Sequence, residues 1–364
     1  LLLLSSTFIS ETRSVSLDQM LAAVTLALFY LGYAHDHFAS PRRLPWLLLL
    51  LLLGFAIRGP IGLVIPTGVL CSYYLLNRQW RRLFSFGVLA LALLLACVGL
   101  LLLLAKVSGG ESFMQDVIRM QFLGRMDGRE GSSSVWYYFS SSLGNYAPAY
   151  PLALLVLLAV LFNPRRTADS AWQLLLGCTA AGLIVLLGLS IPEAKKARYV
   201  LPMMPMVAII AAYPFHRVDG RLFKGLRGLM LGLWALTPGL LIGALLVARQ
   251  RFAAQLEHFQ GVLGLLIGLQ LLSVGMLLKW RWRPVGPAFC AVLAVWGLYI
   301  LVVEPVERRL YDTRTFAREA HALIQQHPAP LVLHGLGKDA KAIKFMVNVE
   351  CDRVPLFTQA PADL

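Results

Sequence analysis

The stretch Leu47-Leu-Leu-Leu-Leu-Leu-Leu53-Gly54-Phe-Ala-Ile-Arg58-Gly59-Pro60-Ile-Gly-Leu-Val-Ile65 decides the fold class. One arginine and a helix-breaking Gly-Pro pair sit between two apolar runs, with no room for a soluble loop. Pro60 suits the first turn of a new helix, where its missing N–H costs nothing. A break of this kind is tolerated at membrane depth only where the backbone faces protein or a wet cavity. The segment therefore reads as two membrane helices joined at a tip that carries a cation. Arg58 then either holds phosphate bidentately or snorkels to the interface, and the helix break favours the cavity.

Outward from this hairpin the pattern repeats. The 364 residues are 58% hydrophobic and 14% charged, with a mean hydropathy of +0.68. That is too apolar for a soluble domain of this size. A span needs about 20 apolar residues, fewer where neighbouring helices shield it. Candidate spans fall at 17–34, 44–57, 59–76, 83–106, 148–163, 170–190, 199–214, 228–247, 260–279 and 285–303, with a partial run at 1–9. Leu1-Leu-Leu-Leu-Ser-Ser opens inside an apolar run without an initiator Met or a basic n-region, so an N-terminally truncated chain is expected. The fold class is thus an all-α polytopic membrane bundle of about ten spans.

Lys and Arg in short loops stay cytoplasmic. Arg42-Arg43, Arg78 to Arg82, Arg165-Arg166, His216 to Arg227 and Lys279 to Arg283 follow every second span. The loops at 11–18, Arg58, 107–147, 191–198 and 248–259, and the tail from Glu304, then lie outside. These anchors explain most of the net charge of +14, which makes nucleic-acid binding a poor reading. Five scattered cysteines, with no CxxC, exclude a disulfide framework or zinc ribbon.

Composition divides the chain into a transmembrane domain, 1–303, with a polar insertion at 107–147, and a final segment, 304–364. Phe113 to Leu123 has helical spacing of apolar residues and reads as an interfacial amphipathic helix. Trp136-Tyr-Tyr-Phe139 reads as an interfacial aromatic belt. The tail reads helix, strand, helix, strand: a small extracytoplasmic α/β lobe, expected to be truncated as well because sixty residues make a thin core. Gly335-Leu-Gly337-Lys-Asp-Ala340 matches a dinucleotide fingerprint, but a plain strand-to-helix turn explains it.

Residues with chemical character collect on the outside face. Asp18 enters a span, where a carboxylate is costly unless paired or wet; the alternative is an N-terminal helix cap. The run Glu193-Ala-Lys195-Lys196-Ala-Arg198-Tyr199 places three cations outside, against the positive-inside trend, which suits a phosphate ligand. Arg119, Arg125 and Arg129 read mainly as helix-face or headgroup contacts. His35-Asp36-His37 alternates like a metal site but falls beside basic cytoplasmic anchors and reads as surface.

Ser190-Ile-Pro-Glu-Ala-Lys195-Lys196-Ala-Arg198-Tyr199-Val-Leu-Pro202 resembles the S-I-P-K-S-K-L-P-R-Y-L-L-P stretch of the protein O-mannosyltransferase and bacterial aminoarabinose (lipid A) transferase group. Gly54 to Pro60 is similar to that group's G-L-x-x-L-T-K-G-P, with Arg58 in the lysine's place, and Arg13 to Asp18 to its A-R-x-x-x-x-D. The resemblance covers nearly the whole chain and implies a GT-C fold. It implies sugar transfer from a polyprenyl-phosphate donor to a lipid A, glycan or protein acceptor, in contact with membrane lipid, at the outer face of the bacterial inner membrane. On this reading Arg58, Lys195, Lys196, Arg198, Tyr199 and Arg125 bind substrate or its phosphate. Asp18 is the catalytic candidate, orienting a cation or a divalent metal. The group's first outer loop, with its principal acid, would precede residue 1. A flippase or transporter of an anionic lipid is the alternative; it calls for polar residues deep in several spans and on both faces.

Overall fold

The computed structural model describes the chain except for residues 15, 39–42, 120–132, 163–169, 218–219, 253–255, 257, 280–282, 284, 311, 327–330, 335–339, 353–355 and 359–364. Arg125, Arg129 and the Gly335-to-Gly337 turn fall outside the described residues. A 3₁₀ turn at Leu2–Leu4 precedes helices α1 (Ser6–Arg13), α2 (Leu17–Phe38), α3 (Leu44–Arg58), α4 (Pro60–Leu76) and α5 (Trp80–Ile118). There follow α6 (Tyr137–Asn145), α7 (Ala149–Phe162), α8 (Ser170–Ser190), a 3₁₀ segment (Ala197–Met203) running into α9 (Met204–His216), α10 (Arg221–Phe252), α11 (Phe259–Leu278) and α12 (Gly286–Leu298).

Among the described residues seven helices are long and apolar enough to cross a membrane. The pair α6 and α7, bent by 113°, passes that test together, and α3 and α4 are shorter apolar helices. Each of the ten expected runs therefore has its helix, and the chain is a multi-pass membrane protein. At 1.5 Å per residue, α2 is about 33 Å long and α3 about 22 Å. The second length falls short of the roughly 30 Å hydrocarbon layer.

Two compact units are present: Leu1–Ala235 with Ser273–Val292, and Leu236–Leu272 with Leu293–Leu364. In the first, α2 packs on α3, α4 and the 3₁₀ segment, α4 on α5 and α8, and α9 on α7 and α8. Its core includes Leu21, Leu28, Leu51, Leu63, Leu70, Tyr73, Cys178 and Met204, each 2% exposed or less. Lipid tails are as apolar as leucine, so close packing rather than water exclusion holds such helices together. The α3–α4 hairpin shows how. A Cβ on Gly54 or on Gly62 would overlap the other residue's carbonyl oxygen, so only glycine permits this approach. Gly59, at φ +63°, makes the reversal between them, a conformation that strains any residue with a Cβ.

In the second unit a π-helical turn (Tyr299–Val303) leads into α13 (Glu304–Leu310), followed by α14 (Thr313–Gln326), β1 (Val332–His334), α15 (Ala340–Cys351) and β2 (Leu356–Thr358). The strands pair in parallel, Val332 opposite Leu356. Helices α14 and α15 pack around Ala317 and Val347. Glu350 accepts hydrogen bonds from Nε of Arg314 (2.5 Å) and Nε of Arg318 (3.1 Å).

Three expectations differ from the structure. Helix α5 passes the expected boundary at 107 as far as a kink at non-helical Gly110 (φ +73°), and the stretch beyond it, to Ile118, includes the start of the helix expected at Phe113 to Leu123. Trp136 and Phe139 are exposed at 74% and 43%, as belt residues are, but Tyr138 turns inward and is 1% exposed. Asp36 is no free surface residue. It accepts hydrogen bonds from Arg82 Nη1 (2.5 Å), Gln79 Nε2 (2.7 Å) and the Tyr73 hydroxyl (3.1 Å), joining α2, α4 and α5.

Candidate active site

Asp18 lies in the first turn of α2 with its side chain 4% exposed. A carboxylate buried this far needs a partner, and Arg58 supplies it by donating from Nη1 to Oδ1. The α3–α4 reversal places that guanidinium. Gly59 ends α3 in a conformation closed to other residues, so Arg58 projects from the hairpin tip toward α2. The guanidinium also covers the ring of Tyr199, with Cζ 4.9 Å from its centroid, a favourable cation–π arrangement.

The second oxygen of Asp18 faces Arg198, whose Nε is 3.5 Å away. Nη1 of Arg198 lies 4.0 Å from Oε1 of Glu11, on α1. One carboxylate is thus bridged by two guanidiniums, and a second carboxylate leans on one of them. Residues 11, 18, 58 and 198 carry two negative and two positive charges, so the cluster is neutral as it stands. Arg198 is 42% exposed and Arg58 13%, which leaves Arg198 the more accessible cation.

The segment that carries Arg198 is fixed by backbone pairing. Ser133 N–H donates to the Glu193 carbonyl at 3.2 Å, Lys195 Nζ donates to the Ser133 carbonyl at 3.1 Å, and the Tyr146 hydroxyl donates to the Ala197 carbonyl at 2.8 Å. Asp18, Arg58, Tyr138 and Tyr199 line a narrow cleft whose remaining walls are apolar, among them Leu21, Ile61 and Leu189. A second, roomier hollow lies between α7, α8 and α9, with Tyr150, Leu154, Leu183, Leu186, Met203 and Val207 in its lining. It is almost wholly hydrocarbon.

Of the residues singled out in the sequence, Asp18, Arg58, Arg198 and Tyr199 come together. Lys195 is half-buried and bonded to Ser133; like Arg198, it lies beside the cleft rather than in its lining. Lys196 is exposed at the start of the 3₁₀ segment. Glu11 and Tyr138 were not expected. Glu11 had a faint signal as an acid in an acid-poor stretch; the inward turn of Tyr138 had none. Among the described residues no group of three or more His, Cys, Asp or Glu could hold a metal ion. Glu11 and Asp18 both approach Arg198, and Asp18 is also paired with Arg58, so cations of the chain already occupy the place between the two carboxylates and the cleft as described does not fit a divalent cation.

The chain is similar in structure to ArnT from Cupriavidus metallidurans. The match to the apo state has a TM-score of 0.64 at 17% identity, and that to the form bound to undecaprenyl phosphate a TM-score of 0.61 at 18% identity. Each covers 99% of this chain and 65% of that one. The chain has the GT-C fold. The chain spans just under two thirds of the length of ArnT. No family model matches the chain, and no curated protein matches it by sequence. The similarity to ArnT is therefore one of architecture.

Proposed function

We propose that this protein transfers a sugar from a polyprenyl-phosphate donor to an acceptor hydroxyl or phosphate, on lipid A, another glycan or a protein, at the outer face of the bacterial inner membrane. The observation that carries the reading is Asp18 bridged by Arg58 and Arg198 beside the Tyr199 ring. The solved structure of ArnT bound to undecaprenyl phosphate supports the donor class.

In such a transfer the acceptor oxygen forms a bond to the anomeric carbon as the bond from that carbon to the phosphate oxygen breaks. The acceptor proton passes to a base, and the electron pair of the broken bond stays on the leaving phosphate. That phosphate gains charge in the transition state, and preorganised cations lower its energy there. Arg198, accessible and loosely held, is the cation that meets the phosphate, with Arg58 behind it. Asp18 is bonded to Arg58 through one oxygen and faces Arg198 at 3.5 Å through the other, so its role is to position the two cations. Lys195 and Lys196 draw the anionic headgroup to the cleft mouth. The apolar hollow between α7, α8 and α9 suits the isoprenoid tail.

The transporter alternative calls for polar groups deep in several spans. Among the described residues the fully buried polar side chains are Ser5, Asp18, Thr25, Ser142 and Ser273, and Asp18 alone carries charge. The test is a radiolabelled-donor assay on membranes with matched protein levels. Each lost charge-assisted contact removes about 1.5–3 kcal/mol, hence about ten- to a hundredfold in rate. Arg198→Ala should show the full loss, and Arg58→Lys should keep more activity than Arg58→Ala. Lys195→Ala should fall less than Arg198→Ala, since its ammonium is held beside the cleft by the Ser133 carbonyl and acts on the headgroup only at a distance. Wild-type rates in Arg198→Ala would remove the phosphate site from this reading.

A further inference from the structure

The end of the bundle opposite Asp18 carries a second set of cations. Asp36 is 18 residues further along α2, about 27 Å away at helical rise, and there the start of α3, the end of α4 and the start of α5 meet. Arg43, just before α3, lies over the ring of Tyr74 with Cζ 5.8 Å from the centroid. Its Nη1 is buried with no hydrogen-bond partner among the described residues. Tyr74 packs edge-on against Phe86 of α5 at 6.1 Å, and its neighbour Tyr73 donates to Asp36. Among the described residues, Asp36 engages Arg82 alone of the arginines here. Arg43, Arg78 and Arg81 therefore face no carboxylate among the described residues. Arg78 and Arg81 are exposed, and Arg78 is held at φ +54°.

A buried guanidinium N–H without an acceptor is costly enough that native structures rarely leave one. An anion with several oxygens would satisfy it. The apolar surface beside these cations says which kind. Trp46 on α3 and Trp80 and Phe84 on α5 are 59%, 52% and 67% exposed, at the helix ends where tryptophan marks the headgroup level.

We propose that this end of the bundle binds the phosphate headgroup of an anionic phospholipid, with Arg43, Arg78 and Arg81 as its ligands and Trp46 and Trp80 against its acyl chains. The proposal is independent of the sugar-transfer reading, because no residue of the Asp18 cleft takes part. Arg43 supplies a planar fork of donors, of which Nη1 has no acceptor among the described residues. Arg78 and Arg81 supply charge from the rim.

The experiment is lipid retention by the purified protein in nanodiscs of mixed phosphatidylcholine and phosphatidylglycerol, read by native mass spectrometry. Wild type should retain phosphatidylglycerol preferentially, and Arg43→Gln should lower that preference at least about fivefold, the weight of one basic side chain near a charged membrane surface. Arg221→Gln, which removes an exposed cation at the start of α10, should leave it unchanged. Should Arg43→Gln fail to fold, the double variant Arg78→Gln/Arg81→Gln, with both side chains on the surface, tests the same site and should also lose retention. Equal losses in Arg221→Gln and Arg43→Gln would mean diffuse attraction and overturn the proposal. So would displacement of the lipid by inorganic phosphate, or unchanged retention in the foldable variants.

Discussion

Replacing Asp18 by Asn removes the carboxylate that two guanidiniums share, and the structure ranks the two couplings. Arg58 and Asp18 are 13% and 4% exposed, so water screens their attraction little. Two unit charges about 4 Å apart at an effective dielectric of about 20 attract by about 4 kcal/mol. Leaving Arg58 buried and unpaired should destabilise the protein by about 3–5 kcal/mol. Arg58→Met should cost a similar amount for the converse reason. The double variant should cost less than the sum, with a coupling of about 2–3 kcal/mol, the upper part of the range for contacting pairs. Arg198 is 42% exposed and 3.5 Å from Asp18, so its coupling with Asp18 should resemble that of a surface pair, about 0.2–1 kcal/mol. The assay is reversible unfolding in mixed micelles of increasing SDS fraction, followed by tryptophan fluorescence, for the two double-mutant cycles. A coupling of Asp18 with Arg58 below about 0.5 kcal/mol, or one no larger than that with Arg198, would refute the buried bridge.

Gly62→Ala should force α3 and α4 apart, because its methyl meets the Gly54 carbonyl, and should cost about 1–3 kcal/mol in the same unfolding assay; Gly68→Ala, whose Cβ would only touch Ile184, should stay near wild type. Asp36→Ala strips the acceptor from Arg82, Gln79 and Tyr73 and should cost about 1.5–3 kcal/mol, whereas a loss below about 0.5 kcal/mol would mean that this network contributes nothing measurable. The hydrogen bond from Arg314, and then that from Arg318, holds the Glu350 carboxyl below its ordinary value. A depressed carboxyl stabilises its contact at pH above the unfolded value and loses that contribution as pH falls through the folded one. The α14–α15 distance, read by spin labels, should therefore hold at neutral pH and lengthen below the ordinary glutamate value of about 4.3. Glu350→Gln should remove that pH dependence.

The sequence by itself determined the class and the spans. A bilayer demands about 20 apolar residues per crossing and internal satisfaction of every backbone polar group, and these are local requirements, readable as runs. The break at Arg58-Gly59-Pro60 was legible for the same reason, because glycine and proline act on their own backbone. The cationic run from Lys195 to Arg198 stood out for a different reason, three cations within four residues at the start of an apolar run. Tertiary structure alone decided which of these groups meet. Asp18 and Arg58 are forty residues apart and Asp18 and Arg198 one hundred and eighty. Their contact depends on α2 packing between the α3–α4 hairpin and the 3₁₀ segment, which hydropathy does not encode. The inward turn of Tyr138, the approach of Glu11 to Arg198, the diversion of Lys195 to Ser133 and the capture of Arg82 by Asp36 have the same origin. Each is set by the rotation of a helix about its axis, and that rotation follows from the shapes of the side chains packed between helices, such as the glycine pair that brings α3 and α4 into contact.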